Sequence, residues 1–162
     1  MFHELVDIFR FDVTVETGTY AGDTTGYLAS RLQHDVYTSE ANCIFYSLAR
    51  SRLAGFPNVH CYLDDSRHFL KTMLEPRLKA SRSGRPVFFY LDAHWQEDLP
   101  LREEIEIVVG NVDKSVIMID DFRVPNDDGY GWDNYGHKEA LDLLTFIDLC
   151  LANEPSHRGS LA

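Results

Sequence analysis

The chain has 162 residues, a size typical of one folded domain, and 44% of them are hydrophobic, which excludes a disordered protein. The formal net charge of −11 argues against a nucleic acid or an anionic membrane as partner, because both attract clustered lysines and arginines. Three widely spaced cysteines (Cys43, Cys61 and Cys150) indicate neither a disulfide framework nor a metal cluster. With no signal peptide or membrane span expected, we predict a single cytoplasmic domain over residues 1–162, with 152–162 as a mobile tail.

Hydrophobic periodicity predicts strands and helices that alternate along most of the chain. After a short helix within residues 1–11, we expect strands at 12–17, 36–39, 59–63, 87–91 and 116–119. We expect helices at 23–33, 41–54, 66–80, 101–110 and 137–151. The predicted inward-facing residues of the first two helices are Tyr27, Leu28 and Leu32, then Ile44, Phe45, Leu48 and Leu53. The fourth and fifth strands are almost wholly apolar, which is typical of strands covered by helices on both faces. The sequence therefore predicts an α/β fold with a doubly wound, mostly parallel sheet.

The turn after the first strand carries the first indication of a ligand. Gly18 and Gly22 follow a short strand and precede a helix, which Thr24 or Thr25 is expected to cap. Open α/β sheets bind nucleotide-like ligands at such a turn. The glycines lack the G-x-G-x-x-G spacing of dinucleotide sites, and no Gly-Lys-Ser/Thr phosphate loop is present. Asp23 would also repel a pyrophosphate, so a nucleoside without phosphates suits this turn.

Acidic or polar residues follow nearly every predicted strand. They are Glu16, Glu40, Asp64 to Ser66, Asp92 to Trp95, and Asp120 with Asp121. Ligands bind outside the carboxyl ends of the strands in open α/β sheets, so these side chains are candidates for one site. Glu40 is placed to accept both hydroxyls of a ribose, or to serve as a helix N-cap. Ser66 could equally be a plain helix N-cap. Asp120 and Asp121 could simply terminate the fifth strand.

The segment Glu-x-Gly-Thr-Tyr-x-Gly-x-Thr-Thr, from Glu16 to Thr25, resembles the first motif of class I S-adenosylmethionine (SAM)-dependent methyltransferases. It is closest to the metal-dependent catechol and caffeoyl-CoA O-methyltransferases, and the stretch from Tyr37 to Asn42 matches their second motif. The resemblance covers about residues 12–151 and implies strand order 3-2-1-4-5, with little sequence left for a sixth and a seventh strand. It also implies SAM contacts from Glu16, Gly18, Thr19, Tyr20, Gly22, Thr24, Thr25, Glu40, Asp65, Ser66 and Asp92.

The same resemblance implies a divalent cation. In the catechol-type enzymes an Asp ends the fourth strand and an Asp-Asn pair ends the fifth; here Asp92, Asp120 and Asp121 stand in those places. Oxygen ligands suit Mg²⁺ or Ca²⁺, and Mn²⁺ also accepts them, so Mg²⁺ or another divalent cation is expected. Asp92 and His94 are the expected catalytic residues, with His94 as a possible general base. The lysine that follows the fourth-strand Asp in that family has no counterpart, since Gln96 and Glu97 follow here.

These patterns predict metal-assisted O-methylation of a small-molecule hydroxyl. Residues 127–136, within a long loop at 123–136, are expected to form a substrate lid or, equally, a plain packed surface loop. Two alternatives stay open: a different reaction on the same scaffold, and a non-catalytic domain that binds a nucleoside or a cation in its acidic crevice. The apolar fifth strand would form an exposed edge, which we expect the tail or a second copy of the chain, in a homodimer, to cover.

Overall fold

The structure, a computed structural model, describes residues 4–5, 8–73, 85–94 and 98–120. The predictions for the final helix, the lid, the tail and Asp121 concern residues outside these ranges, as does the far end of the predicted helix 66–80. None of the helices in the described part is long and apolar enough to cross a membrane.

Five parallel strands form one sheet, and their order confirms the expected doubly wound α/β fold. They are β1 (Val13–Thr17), β2 (Asp35–Glu40), β3 (Val59–Leu63), β4 (Val87–Leu91) and β5 (Ser115–Ile119). The order across the sheet is β3-β2-β1-β4-β5, so β1 is central, with β2 on one side and β4 on the other. Because all the strands run the same way, their carboxyl ends meet at one edge of the sheet.

Among the residues that the structure describes, four α-helices cover the two faces of this sheet. They are α1 (Asp23–Arg31), α2 (Cys43–Arg52), α3 (Ser66–Met73) and α4 (Leu101–Asn111). Successive residues of a strand point to opposite faces, so Phe88 and Phe89 enter different clusters of the core. Phe89 packs with residues of α3 and α4, and Phe88 packs with residues of α1. The continuous apolar run of β4 is therefore explained by burial on both sides.

The predicted inward faces of α1 and α2 are partly wrong. Ile44 and Leu48 are 72% and 46% exposed, and Tyr27 on α1 is 39% exposed. In α2 and the short turn that follows it, the buried residues are Ala49 and Leu53. These two lie four residues apart, so they define a stripe one position away from the predicted Ile44–Leu48 stripe. A small alanine lets the helix approach the sheet closely, and hydrophobicity alone does not predict that choice.

The helix caps also differ from expectation. Neither Thr24 nor Thr25 caps α1: Gly22 holds the N-cap position with φ of 83°, and no side chain caps the helix. Ser66 is the first residue of α3, and Asp65 caps that helix by accepting a hydrogen bond from the Arg67 amide. The Thr25 hydroxyl is not available for capping because it donates to Glu16 inside the core.

Candidate functional site at the carboxyl ends of the strands

The glycine turn lies in close contact with the chain that follows β4. Gly18 has φ of 83°, and a Cβ there would lie 2.3 Å from the carbonyl oxygen of Asp92. The amides of Gly18 and Thr19 both donate to the carbonyl of Ser39, at 3.0 and 3.1 Å. The turn is thus fixed between the ends of β2 and β4. Only glycine fits at position 18, because of both its backbone angle and this close approach.

Glu40 lies beside this turn, as predicted, at the end of β2. Its Oε2 accepts a hydrogen bond from the Tyr20 amide and its Oε1 accepts one from the Asn42 amide, both at 2.8 Å. Tyr20 has φ of 47°, an uncommon backbone angle for a residue other than glycine, and its side chain is exposed. The side chain that caps α2 is Asn42 rather than Glu40. Each carboxylate oxygen of Glu40 has a second lone pair with which it can accept a ligand hydroxyl.

Glu16 is fully buried, so its side chain is not positioned to contact a ligand directly. Its Oε2 accepts hydrogen bonds from the hydroxyls of Thr25 and Thr38, the second at 2.6 Å. Burial raises the pKa of Glu16 to about 7, although both hydroxyls lower it. The Thr38 hydroxyl oxygen also lies 2.5 Å from that of Thr19 in the turn. Glu16 is therefore connected to the turn through two threonines, of which sequence reasoning missed Thr38.

The remaining turn residues are mostly enclosed. Thr19, Gly22 and Thr25 are buried, and Thr24 is half-buried on the first turn of α1. Arg52 fixes the outer side of the turn by donating to the Ala21 carbonyl at 2.9 Å and pairing with Asp23 at 2.5 Å. These residues shape the turn, so the ligand contacts implied for them would come from the backbone more than from their side chains.

Asp65 and Ser66 occupy the end of β3 and are joined to the segment after β4 by Arg67. The guanidinium of Arg67 lies 2.7 Å from Oδ2 of Asp65 and 2.9 Å from Oδ2 of Asp98. Hydrogen bonding from Arg67 lowers the pKa of Asp65, so this carboxylate stays ionised. Arg67, which sequence reasoning missed, thereby fixes one wall of the crevice.

The ends of β4 and β5 bring three predicted residues close to one another. Asp92 and Asp120 follow paired residues of these neighbouring strands, and Nε2 of His94 lies 3.7 Å from Oδ1 of Asp92. The hydroxyl of Tyr90 donates to Oδ2 of Asp120 at 2.7 Å. Burial and this hydrogen bond raise the pKa of Tyr90, so it stays a neutral donor. Tyr90 was missed because it lies inside an apolar strand sequence.

Two carboxylates at adjacent strand ends supply ligand chemistry that suits a hard cation. Within the described ranges, however, no group of three or more His, Cys, Asp or Glu residues is arranged to hold a metal ion. The third predicted ligand, Asp121, lies outside those ranges. Asp92 and Asp120 are the two predicted ligands that the structure describes, and their binding of a cation stays a prediction.

A cavity of about 410 Å³ lies away from these strand ends, beside α2 and β3, with Tyr46, Arg50 and Cys61 among its lining residues. None of the predicted site residues lines it. Burial raises the pKa of the Cys61 thiol, which makes it a poor nucleophile. We therefore place the candidate site at the strand ends rather than in this cavity.

No protein-family model matches this chain, and no curated protein matches it. Solved structures do match. The O-methyltransferase TomG from Streptomyces achromogenes, involved in tomaymycin synthesis and solved in complex with SAM, aligns with TM-score 0.59 and 22% identity. An rRNA methylase from Streptococcus thermophilus aligns with TM-score 0.52 and 21% identity, and a SAM-dependent methyltransferase from Aquifex aeolicus with 0.51 and 17%.

These alignments cover 74%, 74% and 80% of this chain, respectively, and 52%, 69% and 68% of the matched chains. The chain thus spans about half the length of TomG. The fold is that of the class I SAM-dependent methyltransferases, as the turn and strand-end residues predicted. Because an rRNA methylase is among the similar structures, this fold alone does not distinguish a small-molecule acceptor from a nucleic acid.

Proposed function

We propose that this protein is a SAM-dependent methyltransferase that transfers the methyl group to a hydroxyl of a small molecule. The observation that carries the proposal is the glycine turn, closed against the backbone of Asp92, with the Glu40 carboxylate beside it. The glycine at position 18 keeps the turn close to the end of β4, so that the turn, Glu40 and Asp92 lie side by side where a ligand would meet them. The SAM-dependent proteins of similar fold support the same ligand.

In this proposal the ribose, adenine and methionine portions of SAM each contact residues at the carboxyl end of a different strand. Glu40 accepts the two ribose hydroxyls, and Asp65 and Ser66 contact the adenine. The methionine portion lies along the turn, near Gly18, Tyr20 and Asp92. The backbone around Thr19, Gly22, Thr24 and Thr25 supports it, and Glu16 acts indirectly through Thr38.

Methyl transfer requires an acceptor oxygen in line with the sulfonium–methyl bond and a base that removes the hydroxyl proton. We assign the base to His94, whose ring is exposed at the strand ends and lies within 3.7 Å of the Asp92 carboxylate. A divalent ion held by Asp92, Asp120 and Asp121 would lower the pKa of the acceptor hydroxyl.

The acceptor is proposed to be a small molecule because the crevice is acidic. Glu40, Asp65, Asp92 and Asp120 all end neighbouring strands or follow them directly, and the chain carries a net charge of −11. A phosphate backbone would be repelled there, since nucleic-acid binding depends on clustered basic residues.

The test begins with binding. Calorimetry with S-adenosylhomocysteine (SAH) should show saturable binding that Glu40→Gln weakens by about tenfold or more, since hydrogen bonds to a charged group are lost. Glu106→Gln is the matched control, because Glu106 is an exposed acid on α4 that pairs only with Arg102 among the described residues. No SAH binding by the wild-type protein would refute the proposal.

Transfer is tested with SAM labelled on its methyl group. Small-molecule phenols and sugars on one side, and rRNA on the other, are offered as acceptors. Label in a small-molecule ether supports the assignment. Label in RNA alone would contradict the proposed acceptor class while leaving the cofactor assignment in place.

A further inference from the structure

The cavity beside α2 lies in a groove between that helix and β3, the outermost strand on its side of the sheet. Tyr46 and Arg50 line it from α2, four residues apart and therefore on one face of the helix. Val59 and Cys61 line it from β3, two residues apart and therefore on one face of the strand. Small-molecule sites usually have volumes of about 300–1,000 Å³, and the cavity, of about 410 Å³, is within this range.

Apolar side chains form one part of the cavity lining. Leu53 is buried, Phe56 and Val59 are half-buried, and Pro57 follows Phe56 directly. Leu53 also packs against the glycine turn, since a Cβ on Gly22 would lie 2.9 Å from its side chain. This part of the lining is therefore held in place by contacts with the neighbouring turn, and it suits the apolar body of a small ligand.

Arg50 supplies a positive charge to the same cavity. It forms no ion pair with any residue that the structure describes, whereas Arg52, on the same helix, pairs with Asp23. No Asp or Glu is among the described residues that line the cavity. The chain has 26 acidic residues and only 15 lysines and arginines, so acids are plentiful, yet none neutralises this guanidinium within the described ranges. The arginine is thus available to pair with an anion from outside the chain.

Two further polar groups can meet an anion beside this guanidinium. The hydroxyl of Tyr46 has no hydrogen-bond partner in the described part of the chain and can donate its proton. Burial raises the pKa of the Cys61 thiol, although Arg50 lowers it, so the thiol stays neutral and does not repel an anion. A guanidinium with a hydroxyl donor near it is well suited to a carboxylate or a phosphate group.

We propose that this cavity is a second ligand site, which binds a small organic anion. The anionic group, a carboxylate or a phosphate, pairs with Arg50 and accepts a hydrogen bond from Tyr46, and the apolar body packs against Leu53 and Phe56. None of the residues to which we assign SAM contacts lines this cavity. The inference therefore goes beyond the proposed function and does not depend on it.

The experiment follows the backbone amides of the full chain by NMR while benzoate, phenyl phosphate or neutral benzamide is added at neutral pH. Either anion should cause saturable shifts at Tyr46, Phe56 and Cys61, with a dissociation constant in the millimolar range. Benzamide should bind about tenfold more weakly than the better anion, because it lacks the charge that pairs with the guanidinium. The anion that binds more tightly identifies the head group, carboxylate or phosphate, that the site prefers.

Arg50→Gln should weaken the binding of the anions by about tenfold and leave the binding of benzamide unchanged. Tyr46→Phe should weaken anion binding several-fold, since one hydrogen-bond donor is lost. Arg10→Gln is the matched control: Arg10 is also exposed and without an ion pair among the described residues, it does not line the cavity, and its substitution removes the same charge. This control should bind both anions as the wild-type protein does.

Three results would overturn the inference: no saturable binding of either anion, equal anion affinity of Arg50→Gln and the wild-type protein, or shifts confined to the strand ends. Binding of an anion in the cavity by a protein that does not bind SAH would support this inference and refute the proposed function, so the two fail separately.

Discussion

Substitution of Gly18 by alanine tests whether the glycine turn is built around a close backbone contact. Two costs apply. The left-handed backbone at φ of 83° costs a non-glycine residue about 1–2 kcal/mol. The added Cβ would also lie 2.3 Å from the Asp92 carbonyl oxygen, against 3.4–4 Å for an ordinary contact. That oxygen belongs to the backbone and cannot rotate away, so overpacking adds about 1–3 kcal/mol. We expect Gly18→Ala to lower the free energy of unfolding by about 2–5 kcal/mol.

Two other glycines provide a graded control in the same urea-unfolding assay. Gly22 has the same φ of 83°, but its Cβ would meet the flexible side chain of Leu53 at 2.9 Å, so Gly22→Ala should cost mainly the backbone term. Gly110 on α4 has open space around it, and Gly110→Ala should be neutral or stabilising by up to about 1 kcal/mol. Equal stability of the Gly18 and Gly110 variants would refute the proposed contact. Of the three variants, Gly18→Ala should show the largest fall in SAH affinity.

Three further predictions follow from the site. Because the pKa of Glu16 is raised from 4.5 to about 7 in the folded state, the free energy of unfolding should decline by up to about 3 kcal/mol as the pH rises from 4.5 to 7. Glu16→Gln should flatten this part of the stability profile, and a profile that rises with pH would contradict the burial. Arg67→Met should weaken SAH binding several-fold while changing stability by no more than about 1 kcal/mol, since its partners are about half exposed; unchanged affinity would exclude it from shaping the crevice. Asp120→Ala should abolish Mg²⁺ binding in a titration and leave SAH affinity largely intact, and full activity in EDTA would leave catalysis to His94 and proximity alone.

The sequence predicted the strands of this fold well, because each one is a short apolar run bounded by polar turns. The order of the strands came from the resemblance carried by Glu16 to Thr25, since periodicity does not fix which strands are neighbours. The positions of Glu40, Asp65 and Asp92 at one edge of the sheet were predictable because parallel strands end there, and their roles in a site stay predictions. The buried face of α2 was not predictable in this way. It is centred on the small residue Ala49, which packs toward β2 and β3 in place of the larger Leu48.

Polar side chains within or next to the core were the ones that sequence reasoning missed. Tyr90 looks like any aromatic residue of an apolar strand, and only the sheet register places its hydroxyl against Asp120. Glu104 did carry an indication that could have been used. It occupies position i+3 in the series Leu101, Glu104, Ile105 and Val108, which is the inward-facing pattern of an amphipathic helix. An acid at such a position is expected to be buried, and a buried carboxyl with a shifted pKa is a candidate for a functional role.

Two buried carboxyls, those of Glu16 and Glu104, lie in the core on opposite faces of the sheet. Glu16 lies on one face of the sheet and reaches the glycine turn through Thr38 and Thr19. Glu104 is buried on α4, which covers the other face. Burial raises the pKa of both acids to about 7, which means that keeping them ionised costs folding free energy at neutral pH. A core selected for stability alone would carry apolar residues at both positions. Because Glu16 is hydrogen-bonded through Thr38 to Thr19 of the turn, we infer that the stability given up there serves to hold the turn in place.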